Sequence, residues 1–186
     1  YPWSASGTSL AAALVPLPAQ DGGRAGLLRR LDDPAERAAI ERGMAENLRR
    51  RGGAAALLIT EGAETGRTLA QVAAARGLAP VAAAIAVIRV ADPAVASFNQ
   101  REDDIAAFMA RPWVMTGSDA STGHPRTYGS YPRKYAEYVV RRRVLTLRQF
   151  VERSATLPAR TLGIVDRGRL ATGAFADVVV FDPARY

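Results

Sequence analysis

Asp119, His124 and Arg126 stand close together in the chain, and each carries a side chain able to do chemistry. The apolar run Trp113-Val114-Met115-Thr116-Gly117 leads into Ser118-Asp119, so the acid falls where a buried strand would stop. Barrel enzymes present their catalytic groups at the ends of strands and in the loops that follow. A carboxylate there can take up a proton and return it. A Ser-Asp pair after a strand also caps the next turn, and the spacing admits both roles. The Arg126 guanidinium can grip a carboxylate through two parallel N–H groups, or it can be a solvated loop arginine. Pro125 fixes the backbone just before it. His124, the only histidine, can titrate near neutrality, sit in the outer shell of a metal, or simply bond nearby backbone.

The elements that must position these groups are legible from caps and periodicity. Asp33 before Pro34, with Ile40, Met44 and Leu48 at four-residue spacing, predicts a helix with one apolar face. Thr68 with Gln71, Asn99 with Glu102 and Thr146 with Gln149 each have the spacing of a capping box. Strands are expected over Ala54–Thr60, near Val95–Phe98, over Trp113–Gly117, and over Ile164–Leu170 and Ala176–Phe181. Strands alternating with helices predict an α/β fold with parallel pairing up to about residue 160. The last two strands, separated by Ala171-Thr172-Gly173, predict a hairpin. Gly22-Gly23 and Gly52-Gly53 are the expected loop points.

Composition narrows the class. The chain has 186 residues, enough for one domain-sized core but short of the roughly 250 of a (β/α)8 barrel, so it reads as part of a longer polypeptide. No apolar run reaches the roughly 18 residues of a membrane span, so no membrane partner is expected. There is no cysteine, which removes disulfides and thiolate ligands and is compatible with a cytoplasmic location. The net charge of +7 could serve a nucleic acid. The runs Arg49-Arg50-Arg51 and Arg141-Arg142-Arg143, however, fall at expected helix ends, where cations meet the negative end of the dipole. No nucleic-acid partner is expected, and the charge pattern says nothing of oligomeric state.

Four stretches carry a family resemblance. They are YPWSASGTSL at the start, GSDASTGHPRTYGSYPRKYAEYV over Gly117–Val139, Leu147–Gly163, and RGRLATGAFADVVVFDP over Arg167–Pro183. Together they resemble the C-terminal part of the N-acyl-D-amino-acid deacylases, or D-aminoacylases, of the amidohydrolase superfamily. The resemblance implies the C-terminal portion of a (β/α)8 barrel over residues 1–163, with a helical insertion over about 20–110. Residues 164–186 would then be strands of a small β-sandwich, matched through Gly168, Gly173, Ala176, Asp177 and Asp182. The segment Ile40–Phe98 resembles an inserted helical lid, and such lids can gate a barrel mouth.

The same resemblance implies a chemistry, hydrolysis of the amide of an N-acyl-D-amino acid, a small-molecule substrate. In such enzymes a bound zinc ion activates water and polarises the carbonyl. Asp119 would be the proton shuttle, Arg126 the anchor of the substrate α-carboxylate, Tyr1 a phenolic hydroxyl near that carboxylate, and His124 a further substrate-side candidate. Tyr1 also suits a ring packed at a barrel rim. One histidine and no cysteine cannot hold zinc, so the ligands are expected upstream of this chain, and the chain alone is expected to be inert. Two departures bear on substrate choice: Gly7 stands where the family often has Ser, and only four residues separate Asp119 from His124. The aromatics Phe108, Trp113, Tyr128, Tyr131, Tyr135 and Tyr138 could line an acyl pocket or pack helix against barrel. The rival readings are a cyclic-amide hydrolase of the dihydroorotase or hydantoinase kind, which the open-chain carboxylate motifs disfavour, and a noncatalytic binding fragment.

Overall fold

The computed structural model describes residues 1–120 and 124–185. They form two compact units, one of residues 5–100 with His124, the other of residues 1–4, 101–120 and 125–185.

The first unit is α/β. Its strands are β1 (Ser6–Ser9), β2 (Leu57–Ile59) and β3 (Ala94–Ser97), in the order β1-β3-β2. Both pairings are antiparallel, with Ser6 opposite Ser97 and Ile59 opposite Val95. The expected parallel pairing is therefore not what these strands adopt. Side-chain alternation has a period of two in either direction, so the pattern identifies strands without giving their sense. Within the expected strand Ala54–Thr60, only Leu57–Ile59 pair, and Ala54–Ala56 form a tight 3-10 turn.

Helices α1 (Leu10–Leu14), α2 (Gly23–Asp32), α3 (Pro34–Arg50), α4 (Leu69–Ala75) and α5 (Pro80–Val90) surround this sheet. Helix α3 starts where its sequence dictates. The Asp33 side chain accepts from the Ala35 N–H, Pro34 occupies the first turn where a missing N–H costs nothing, and Ile40, Met44 and Leu48 are buried. Helix α4 has the full Thr68–Gln71 capping box. The buried faces meet in one core that includes Leu10, Leu14, Leu31, Met44, Leu57, Leu69, Val72 and Ile88. At the end of α3, Arg49 and Arg50 pair with Glu46. Among the described residues no single helix is long and apolar enough to cross a membrane; α4 and α5 pass that test only as a pair bent by 94°.

The second unit is helical: α6 (Glu102–Met109), α7 (Arg126–Arg133), α8 (Leu147–Val151) and α9 (Leu157–Thr161). Wide π-helical segments follow α7 at Lys134–Arg141 and α8 at Glu152–Thr156. Pro132 lies inside α7, and its missing N–H breaks the regular ladder just before the first of these segments. Helix α8 has the expected Thr146–Gln149 capping box. The expected Asn99 cap of α6 does not form. Asn99 Oδ1 accepts instead from the Ser6 hydroxyl at 3.0 Å, and α6 begins behind Arg101 without a side-chain cap.

Two expected strand regions form no ladder among the described residues. Along Trp113–Gly117 the Thr116 N–H donates to the Arg153 carbonyl at 3.0 Å, and Trp113 is exposed. In the C-terminal segment the turn is present, since the Phe175 N–H donates to Asp166 and Ala174 to Ala171. Its arms do not pair into the expected hairpin, and Val178, Val179 and Val180 lie exposed. Two strands with no further sheet to cover them are marginal in water, which accounts for a turn without a ladder.

Candidate functional site

Helix α7 supplies the central side chain. Arg126 opens it, and the residue is only 2% exposed although it carries a permanent charge. Such a charge needs a partner, and Arg126 Nη1 lies 3.0 Å from Asp119 Oδ2. The Asp119 carboxylate is largely exposed, so one end of this pair faces solvent. Asp119 has φ of 47°, a left-handed backbone conformation that Asp tolerates better than most residues. Helix α7 has no side-chain cap, so Asp119 does not serve as one for it. The Tyr1 ring lies beneath the guanidinium, 4.5 Å from ring centroid to Arg126 Cζ, where its electron-rich face favours the cation.

Three of the four candidates, Asp119, Arg126 and Tyr1, are thus brought together in the helical unit. His124 belongs to the other unit, where it is buried with its Nε2 3.2 Å from the Ala5 carbonyl oxygen. Gly7, the position where the family often has Ser, pairs opposite Ala96 within the sheet. Of the aromatic set, Tyr135 and Tyr138 are buried, while Phe108, Trp113, Tyr128 and Tyr131 are exposed and do not pack helix against sheet within this chain. The Tyr138 hydroxyl donates to Glu102 Oε2 at 2.6 Å, and burial followed by that bond pushes the phenol above its ordinary range.

Sequence reasoning missed Lys134. Its ammonium donates to Thr116 Oγ1 at 2.7 Å, and the residue is 2% exposed. Burial, and then the nearby Arg153, pull it down to about 8. The signal was present in the spacing: Arg126, Ser130, Lys134 and Tyr138 recur every four residues, and all four are buried. A buried helical stripe that is polar rather than apolar marks a site, and Lys134 is also the one lysine in the chain.

Chemically, the cluster offers a solvent-facing carboxylate next to an anion-binding guanidinium. It does not offer a metal site. Among the described residues no three His, Asp or Glu side chains come together, where a zinc centre wants three or four protein ligands.

The sequence profile described as the amidohydrolase family matches residues 18–186. The N-acyl-D-glutamate deacylase of Alcaligenes xylosoxydans xylosoxydans is 40% identical over 121 residues, which is 63% of this chain and 24% of that protein. This chain therefore spans about a quarter of the length of the curated relatives it matches. Among solved structures, it is similar to the N-acyl-D-glutamate deacylase of Bordetella bronchiseptica, complexed with zinc and a phosphonate mimic of the tetrahedral intermediate. That likeness has a TM-score of 0.65 and 32% identity, covering 80% of this chain and 36% of that one. A D-aminoacylase structure described as defining a novel subset of amidohydrolases covers 98% of this chain and 32% of its own, at a TM-score of 0.68 and 25% identity. With both the profile and these likenesses running through the cluster of Asp119 and Arg126, the chain belongs to the amidohydrolase family, on its D-aminoacylase side.

Proposed function

We propose that this chain carries the proton-transfer and carboxylate-binding residues of an N-acyl-D-amino-acid deacylase, which splits the amide into a carboxylate and a free D-amino acid. The observation that carries the reading is the Asp119–Arg126 pair at 3.0 Å, with Tyr1 stacked on the same guanidinium. A guanidinium has five N–H donors, so it can hold Asp119 and grip the substrate α-carboxylate as well. Asp119 then lies within reach of the bond next to that carboxylate. It takes a proton from the attacking water and returns it to the amide nitrogen as the C–N bond breaks. Tyr1 supplies a hydroxyl on the α-carboxylate side, and His124 fixes backbone through Ala5.

In this reading residues 1–163 complete a (β/α)8 barrel, with the helices between about residues 20 and 110 inserted into it, and residues 164–186 join a small β-sandwich. The likeness to whole enzymes of the family supports that arrangement. The described residues do not fit the zinc named with the Bordetella enzyme, so any such metal takes its ligands from polypeptide beyond them. The 186-residue chain by itself is accordingly expected to be inactive.

The test is hydrolysis of N-acetyl-D- and N-acetyl-L-amino acids by the full polypeptide that carries this chain, with zinc supplied, alongside Asp119→Asn. D-selective turnover that falls by about 100-fold or more in the variant is expected for a lost general acid–base. Activity indifferent to Asp119, or confined to cyclic amides, would refute the reading.

A further inference from the structure

The stripe Arg126, Ser130, Lys134 and Tyr138 places two buried cations on one face of a continuous helical run, and both reach the same short segment of chain. Arg126 meets Asp119, and Lys134 meets Thr116, three residues earlier. The cations differ in their partners. Arg126 has a carboxylate, whereas the bond of Lys134 goes to a neutral hydroxyl, which is in turn 2.8 Å from Ser154 Oγ. Among the described residues no carboxylate lies within ion-pair distance of Lys134. The next charge is also positive: Arg153 is buried, with its guanidinium spent on the carbonyls of Met109 and Ala110 at the end of α6.

Lys134 is also part of the same locality as the proposed site. The Tyr1 α-amino group is held below its ordinary value first by burial and then by Lys134, while Asp119 raises it and Arg126 lowers it. An ammonium buried at 2% exposure with no anion is a costly arrangement, and an incoming carboxylate offsets that cost. Because the surroundings are desolvated, such a contact is stronger than it would be in water.

We propose that Lys134 selects an acidic side chain on the substrate, its ammonium holding the distal carboxylate of an N-acyl-D-amino acid while Arg126 holds the α-carboxylate. This deepens the deacylase reading and rests on it. The ligand class is a dicarboxylate with an amide on the central carbon, and the matched control is the same molecule with its distal carboxylate replaced by a carboxamide.

Two measurements test the assignment. In the zinc-supplied full polypeptide, kcat/KM for N-acetyl-D-glutamate against N-acetyl-D-glutamine is compared in wild type, Lys134→Met and Lys134→Arg. Wild type is expected to favour the glutamate by about ten- to a hundredfold, the range of one charge-assisted bond. Lys134→Met loses that ratio, and Lys134→Arg keeps part of it. An unchanged ratio in Lys134→Met, or no glutamate preference in wild type, overturns the proposal while D-selective, Asp119-dependent turnover leaves the deacylase reading standing.

The second measurement needs no variant and no turnover. Lys134 is the single lysine of the chain, so 13Cε-lysine labelling of the 186-residue chain gives one side-chain signal. That signal is expected to move on adding N-acetyl-D-glutamate and to move much less with N-acetyl-D-glutamine. Equal movement with both ligands would assign Lys134 to the α-carboxylate, and no movement would make it a structural residue; either overturns the proposal.

Discussion

Arg126 and Lys134 differ in what their loss should do. Replacing Arg126 with Met removes the proposed grip on the α-carboxylate and leaves Asp119, which is largely exposed and can hydrate. The expected result is a rise in KM of about ten- to a hundredfold, as for one charge-assisted contact, with a smaller change in kcat. A fall in kcat at constant KM would instead assign Arg126 to the transition state. Lys134 bears on stability. Its value near 8 lies below that of an unfolded lysine, so between about pH 8 and pH 10 the unfolded chain binds more protons than the folded one. Stability therefore rises with pH across that window. Above pH 10 Tyr138 opposes it, since its raised phenol favours the protonated folded state. Lys134→Met should flatten the rise, worth on the order of 2 kcal/mol, in urea melts taken at pH 7.5 and pH 10. An identical slope in the variant would mean that Lys134 titrates like an exposed lysine.

At the scale of elements, caps and their absence make a matched comparison. Thr68 accepts from the Gln71 N–H and Gln71 returns the bond, so Thr68→Ala should cost about 1 kcal/mol and lower Tm by a few degrees. Asn99 and Glu102 have the same spacing, but Asn99 does not cap α6. Asn99→Ala removes only the bond from Ser6 and should cost a few tenths of a kcal/mol by the same measurement. Equal losses would show that α6 is capped in solution by Asn99. The π-helical segment after Pro132 carries its own consequence: it holds Lys134 and Tyr138 on the buried side of the same stripe that α7 begins with Arg126.

At the scale of the whole molecule, the apolar surface is unevenly shared. The first unit buries a broad core, whereas the helical unit has a small one around Met109, Tyr138 and Leu145 and exposes Val165, Leu170, Val178, Val179 and Val180. Exposed β-branched runs seek a sheet, so the 186-residue chain is expected to bind ANS and to associate at micromolar concentration. Val179→Lys should reduce both without lowering Tm, because that side chain is 82% exposed. A monomeric, ANS-silent wild type in sedimentation would contradict this.

Local chemistry explains what the sequence by itself determined. Asp33, Thr68 and Thr146 cap the helices they were expected to cap, and Ile40, Met44 and Leu48 form the buried face their spacing predicts, because a cap or a period is written within a few residues. The family motif around Asp119 and Arg126 was legible for the same reason. What lay beyond reach were decisions made between distant residues. Strand direction is one, since alternation is the same for parallel and antiparallel ladders. The fate of Asn99 is another, settled by Ser6 at the far end of the unit. Above all, only the tertiary structure set Lys134 against Thr116 and Arg153, burying an ammonium whose one-dimensional neighbours, Arg133 and Tyr135, give no hint of what surrounds it.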